Sequence, residues 1–211
     1  MAIKAVVFDV DGTLLDTREF IAQAFEHSLR ERGYEVPARD DVVAAATGRT
    51  LTDGYQILAP NGDIIALRDS HEKFQLGRFD LVTAYTGLND VLATLRGRGI
   101  LIGACSIRGK MIHTMLEHVQ VLAHFDAVID SSNVVKHKPH PEGVLKVLEL
   151  LNVKAENAVM IGDTSSDIEA GKAAGCSLTI AITHGLGTLE SLEESGADHV
   201  VTSLPDILPL I

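Results

Sequence analysis

The chain has 211 residues, 46% of them hydrophobic, and a formal net charge of -11. That length supports one good core, or a core carrying a smaller second domain, and the apolar content excludes a disordered chain. The acidity, with no basic blocks, excludes nucleic-acid and membrane-surface roles that rest on bulk electrostatics, and it means that an anionic substrate must meet a locally positive pocket.

The N-terminus lacks the basic start, apolar stretch and small-residue cleavage site of a signal peptide. No run approaches the roughly 18 apolar residues of a membrane span. The two cysteines, Cys105 and Cys176, show no metal-ligand spacing. A cytoplasmic protein with both thiols free is the expectation.

In chain order, the first apolar run, residues 5–8, predicts a strand that stops at Asp9. Residues 17–33 predict a helix with a partly apolar face of Phe20, Ala24, His27 and Leu29, ended by Gly33. A second helix is predicted over 40–46. The rest of the stretch to Val82 is helical or irregular, with turn signals at Ala59-Pro60-Asn61-Gly62. From there a regular alternation sets in. Helices are predicted over 88–97, 110–119, 141–151, 165–174 and 188–195, and short apolar strands over 100–105, 127–129, 158–161, 178–182 and 199–201. Strand and helix at this spacing predict right-handed βαβ units and a parallel sheet covered on both faces. The fold class expected is α/β, a Rossmann-like three-layer parallel-sheet core with an inserted helical cap subdomain. The core is expected to take residues 1–15 and 83–211, and the cap 16–82.

Ligands of an open parallel sheet bind beyond the carboxyl ends of its strands. Asp9 and Asp11 follow the first strand, Ser106 the second and Asp163 the fourth, while Lys138 lies in the loop after the third. All therefore fall at one edge of the sheet. Asp9 and Asp11, at i and i+2, point to one side of an extended chain, and Gly12 allows the backbone a tight departure. Asp167, four residues after Asp163, faces the same cavity if a helix begins near Thr164 or Ser165. So many carboxylates repel one another unless a cation sits among them. Hard oxygen donors without a Cys or His set favour Mg²⁺ over Zn²⁺. A carboxylate can also act as a nucleophile and form an aspartyl-phosphate. Lys138, the Ser106 hydroxyl, nearby amides and the metal are the groups available to neutralise a phosphoryl oxygen.

The residues "DVDGT" (Asp9 to Thr13), Ser106, Lys138 within "KHKPHPE", and "GDTSSD" (Gly162 to Asp167) resemble, in this order, the four motifs of the haloacid dehalogenase-like superfamily. The resemblance covers nearly the whole chain, including a small helical cap after the first motif. It implies that Asp9 is the nucleophile and a Mg²⁺ ligand. It makes Asp11 the acid and base for the leaving oxygen and the attacking water, with its backbone carbonyl on the metal. Asp163 and Asp167 complete the metal set, and Ser106 and Lys138 hold the phosphoryl oxygens. The cap segment "TGRTL" (Thr47 to Leu51) resembles the specificity loop of phosphoglycolate phosphatases and their mutase relatives, which implies that Arg49 pairs with a substrate carboxylate or second phosphate. The second motif departs from the usual Ser/Thr-Asn: here it reads Ser106-Ile107-Arg108, so the Ile107 amide survives but the Asn side chain does not, and Arg108 is a candidate to replace it.

Taken singly, each of these residues has a plainer role. Asp9 and Asp11 are adequate turn formers, Asp163 and Asp167 adequate helix-end residues, Lys138 and Arg49 adequate surface cations, and Ser106 an ordinary loop serine. His137, His140 and His184 read as loop residues. The stretch "GACSIRGKM" (Gly103 to Met111) is not a phosphate-binding P-loop, because five residues separate its glycines and Met follows the Lys. The resemblance implies a Mg²⁺-dependent phosphatase of a small phosphorylated metabolite, phosphoglycolate first. An inorganic pyrophosphatase or sugar phosphomutase on the same scaffold, or a non-catalytic phosphometabolite-binding module, is the alternative. "DGT" rather than the "DGV" common in mutases favours hydrolysis. No nucleic-acid or membrane partner is expected, and the chain is expected to be a monomer or homodimer.

Overall fold

The first strand, β1 (Ala5–Phe8), is buried along its whole length. A central parallel strand is covered on both faces, so an unbroken apolar run replaces the alternation of a half-exposed one. The computed structural model describes residues 2–211; Met1, the first residue of the expected core segment, lies outside them. The other strands of the sheet are β2 (Leu101–Cys105), β3 (Ala127–Ile129), β4 (Ala158–Gly162), β5 (Leu178–Ile182) and β6 (His199–Val201). They pair in parallel in the order β3-β2-β1-β4-β5-β6. Val6 of β1 stands opposite Ile102 on one side and Val159 on the other.

The helices are α1 (Arg18–Glu31), α2 (Arg39–Ala46), α3 (Leu51–Leu58), α4 (Ile64–Leu76), α5 (Leu88–Gly97), α6 (Met111–His118), α7 (Glu142–Leu151), α8 (Ser165–Ala174) and α9 (Leu189–Glu194). No helix among the described residues is long and apolar enough to cross a membrane. On one face of the sheet, Val7, Cys105 and Met160 pack with Val144, Val147 and Leu151 of α7 and Ala170 of α8. Val6, Phe8, Ile102 and Ala104, which point the other way, are buried as completely. Helices thus cover both faces, and the core is the expected Rossmann-like three-layer α/β architecture. β2 begins at Leu101 and not at Ile100, and β4 runs on to Gly162, one residue beyond the expected end.

The chain divides into two compact units, Met1–Asp16 with Ala84–Ile211, and Thr17–Thr83. The second unit contains α1 to α4. Its centre is partly polar: Ser28, Tyr55 and His71 are all buried, with the Tyr55 hydroxyl hydrogen-bonded to Ser28 Oγ and, at 2.9 Å, to His71 Nδ1. Phe25 packs on the Tyr55 ring at 4.6 Å and on the His71 ring at 4.8 Å. Residues 47–82, left undivided by the sequence, hold two capped helices. Thr50 accepts from Asp53 N at the start of α3, and Asp63 accepts from Ala66 N at the start of α4. The buried side of α4 is Leu67, Ser70, His71 and Gln75. Only one of these four is aliphatic, which hides the helical period.

Candidate active site

The hydrogen-bond ladder runs one residue beyond the strand ends. Asp9 N donates to Ile161 O at 2.8 Å, and Ser106 N to Ile129 O at 3.0 Å. Both functional side chains therefore leave a backbone fixed by the sheet. Asp163 follows β4 directly, and Lys138 arrives from the loop after β3 through a cis Lys138-Pro139 peptide. That loop is tied to the first turn of α7. The Glu142 carboxylate accepts from Val135 N and Lys136 N, each at 3.0 Å. The two backbone bonds hold the Glu142 carboxyl down at about 2.

Asp9, Asp163 and Asp167 come together. One carboxylate oxygen from each lies within 4.8 Å of the others, and the three residues are buried. Lys138, also buried, sits among them. Its ammonium donates to Asp9 Oδ1 at 2.6 Å, to Cys105 O at 3.0 Å and to Asp167 Oδ1. All three of its protons are thus used within the protein, whereas the sequence reading placed Lys138 on phosphoryl oxygens. Asp9 Oδ2 receives no hydrogen bond among the described residues. Burial opposes the Lys138 charge, but Asp167 and Asp9 outweigh it and the ammonium is held protonated.

One ammonium does not neutralise three carboxylates. Burial pushes the Asp9 carboxyl well above its usual value, and repulsion from Asp167 and Asp163 adds to this against the pull of Lys138. Burial, then Asp167, pushes Asp163 up to about 7, although hydrogen bonds from Leu186 N and Thr13 favour its ionised form. A buried all-oxygen set short of positive charge fits a hard divalent cation.

Asp163 is clamped from both sides. Thr13 Oγ1 donates to its Oδ1 at 2.8 Å and Leu186 N to its Oδ2 at 2.7 Å. Gly12 adopts φ +77°, and a Cβ there stands 2.2 Å from Asp163 Oδ2; a Cβ on Gly185 stands 2.3 Å from the same atom. Gly12 is required by close approach as much as by backbone angle, and Gly185 by close approach. Behind this clamp, His184 Nε2 donates to Thr13 O at 3.0 Å, and Tyr85 donates to His184 O at 3.1 Å. The two rings stack with centroids 3.7 Å apart. Burial lowers the His184 pKa, in keeping with a neutral ring that carries its proton on Nε2. Tyr85 and Leu186 were missed from sequence. The only signal was "ITHG" beyond a strand end, which marks His184 but not its partners.

Asp167 serves two structures at once. Its Oδ2 accepts from Thr164 N at 3.0 Å and Thr164 Oγ1 at 2.7 Å, capping α8, while Oδ1 meets Lys138. A carboxylate is favoured at this helix end in any case.

The Asp11 side chain does not join this group, because it turns to Arg108. The guanidinium donates from Nη2 to Oδ1 at 2.8 Å and from Nε to Oδ2 at 2.9 Å, and each side chain is 14% exposed. Only the Asp11 carbonyl is left for a metal, the role the resemblance assigns it. Arg108 N donates to Ser106 Oγ at 3.1 Å, so the second-motif turn closes on itself, with Ile107 half-buried at its centre. A small cavity beside this turn is lined by Ser106, Ile107, Val134, His137 and Lys138, and His137 Nδ1 is buried there without a hydrogen-bond partner. Arg49 belongs to the other unit, where it donates to Ala44 O at 2.8 Å and Thr47 O at 3.3 Å. Those bonds close the C-terminal end of α2.

The profile of the haloacid dehalogenase-like hydrolase family matches residues 6–181. Pyrophosphatase PpaX of Bacillus cereus is 32% identical over 213 residues, spanning 100% of this chain and 97% of the relative. The protein of the same name from Oceanobacillus iheyensis is 27% identical over 212 residues, spanning 100% and 98%. Among solved structures, a haloacid dehalogenase-like hydrolase from Streptococcus pneumoniae superposes with a TM-score of 0.88 at 21% identity, covering 99% of this chain and 98% of that one. A predicted phosphoglycolate phosphatase from Haemophilus somnus superposes with a TM-score of 0.90 at 16% identity, covering 99% and 97%. At these identities the two structures speak for the fold. With the strand-end acids, the bridging lysine and the matched profile in agreement, the chain belongs to the haloacid dehalogenase-like hydrolase family.

Proposed function

We propose that the chain is a Mg²⁺-dependent phosphatase that cleaves a small phosphorylated metabolite through an aspartyl-phosphate on Asp9. The observation that carries this is the buried group of Asp9, Asp163 and Asp167 threaded by Lys138. Lys138 holds one Asp9 oxygen and leaves Oδ2 to attack phosphorus. Asp11 gives a proton to the leaving oxygen and later takes one from the water that cleaves the acyl-phosphate. The Ser106 hydroxyl and the Ile107 amide bind phosphoryl oxygens at the end of β2. A magnesium ion held by the Asp9, Asp163 and Asp167 carboxylates and the Asp11 carbonyl supplies positive charge to the phosphoryl group when bound.

Inorganic diphosphate is the favoured substrate, because relatives spanning the whole chain at about a third identity carry the name pyrophosphatase. A phosphoglycolate-like monoester is the second reading, supported by the "TGRTL" resemblance and by fold neighbours of low identity. A reducing cytoplasm suits both free thiols, which burial keeps protonated, Cys105 at about 11 and Cys176 at about 12.

Phosphate release over a panel of phosphorylated metabolites that includes diphosphate, phosphoglycolate and sugar phosphates tests the reading. Turnover with Mg²⁺, loss in Asp9→Asn and reversible loss in EDTA are expected. Full activity in EDTA overturns it, and release of an isomerised sugar phosphate in place of free phosphate marks a mutase. The same panel on Arg49→Ala tests its part in substrate binding.

A further inference from the structure

The Asp11–Arg108 pair raises a difficulty for the chemistry just described. A group that protonates a leaving oxygen must present one of its own oxygens to it. Here both Asp11 oxygens accept from the Arg108 guanidinium. Asp11 is committed to a fork-on-fork contact, the strongest and most directional form of ion pair. Arg108 must release at least one oxygen before Asp11 can serve the reaction.

Parting a guanidinium from a partly buried carboxylate is unfavourable unless another anion takes the carboxylate's place at the guanidinium. The site itself supplies the means of exchange. Asp11 acts on the leaving oxygen, so the leaving group of a bound substrate lies beside Asp11 and within the same small space as Arg108. A leaving group that carries its own anion, a second phosphate or a carboxylate, presents two oxygens to which a guanidinium can donate. One carboxylate contact is then exchanged for one substrate contact, and Asp11, no longer held ionised by the guanidinium, can take a proton from solvent and pass it to the leaving oxygen. A neutral leaving group offers no such exchange.

Two further observations fit. The pair is 14% exposed on each side, so it is reachable by a substrate yet shielded enough for the exchange to matter. Arg108 is also anchored at its backbone to Ser106 Oγ, which places the guanidinium one turn from the phosphoryl-binding end of β2.

We propose that Arg108 is the specificity residue for the leaving group: it latches Asp11 in the resting enzyme and transfers its grip to an anionic leaving group, so that substrates whose leaving group bears a phosphate or carboxylate are selected over those with a neutral one. This assignment rests on the phosphatase reading for its chemistry, and binding tests it separately.

The experiment compares wild type, Arg108→Lys and Arg108→Ala, each checked for native melting. The kcat/KM for diphosphate is divided by that for 4-nitrophenyl phosphate, whose leaving group carries no second anion. Loss of charged hydrogen bonds to the substrate predicts that this ratio falls about tenfold or more in Arg108→Ala, with Arg108→Lys between the two. An unchanged ratio overturns the proposal. In parallel, calorimetry with methylenediphosphonate, which is not hydrolysed, and with inorganic phosphate measures binding alone. The diphosphonate is expected to lose about tenfold in affinity in Arg108→Ala, and phosphate far less. Equal losses for both overturn the assignment. If wild type cleaves neither substrate, the phosphatase reading fails, and the calorimetric difference still decides whether Arg108 grips the second anion.

Discussion

Thr13 and Asp163, 150 positions apart in the chain, share a buried hydrogen bond of 2.8 Å. It joins the turn after β1 to the end of β4, so Asp9 and the deepest carboxylate are held in one frame. Thr13→Val keeps the shape and removes the donor. We expect a cost of about 1–2 kcal/mol in urea unfolding and a higher Mg²⁺ concentration for half-maximal activity, with Thr13→Ser restoring much of both. An unshifted Mg²⁺ dependence in Thr13→Val limits the bond to a structural role.

The stacked Tyr85–His184 pair supports the same frame from behind. Tyr85→Phe keeps the stack and loses only the bond to His184 O, so a change of at most about 1 kcal/mol in stability is expected. His184→Ala removes both the stack and the donor to Thr13 O, and a larger loss of kcat than of stability is expected. Comparing the two variants by turnover and by thermal melting checks this order.

Among the described residues, Lys138 is the only cation bonded to the buried acids of the site. Lys138→Met leaves Asp9 and Asp167 uncompensated and is expected to cost about 3–5 kcal/mol in metal-free buffer. Ligand that binds only the native state raises its stability, so Mg²⁺ is expected to raise the melting temperature of wild type, and to raise it less in Asp163→Asn. Equal rises in wild type and Asp163→Asn contradict the metal assignment.

Glu142 gives a pH signature. Its carboxyl lies at about 2 in the folded protein against an ordinary 4.5. A depressed acid stabilises above its unfolded pKa, and that stability is lost as pH falls through the folded value. The unfolding midpoint of Glu142→Gln is expected to lie below that of wild type at pH 7, with the gap closing as pH drops from about 4.5 towards 2. Urea titrations at several pH values measure it.

In the helical unit, Tyr55→Phe deprives His71 Nδ1 and Ser28 Oγ of a shared partner. A buried unsatisfied group costs about 1–3 kcal/mol, and the loss is expected in thermal unfolding.

The sheet was legible in the sequence because fully buried strands must be continuous apolar runs, as at Ala5–Phe8 and Ala158–Gly162. The acids were legible because a parallel sheet delivers every strand end to one edge. What stayed hidden depends on pairing across long separations. Nothing local to Asp11 announces a partner 97 positions away at Arg108, and nothing near Lys138 says that its protons go to Asp9, Asp167 and Cys105. α4 was hidden for another reason: its buried stripe of Ser70, His71 and Gln75 looks like a solvated surface.

Asp163 lies in a socket with no slack. With Gly12 and Gly185 pressed against its Oδ2 and both oxygens engaged, a side chain longer by one methylene has nowhere to go. Asp163→Glu, conservative by charge, is here a steric insult. The acidic end of the site is therefore inelastic to mutation, and descendants of this sequence that acquire new substrates must do so through the Ser106-Ile107-Arg108 turn and other positions with room to change.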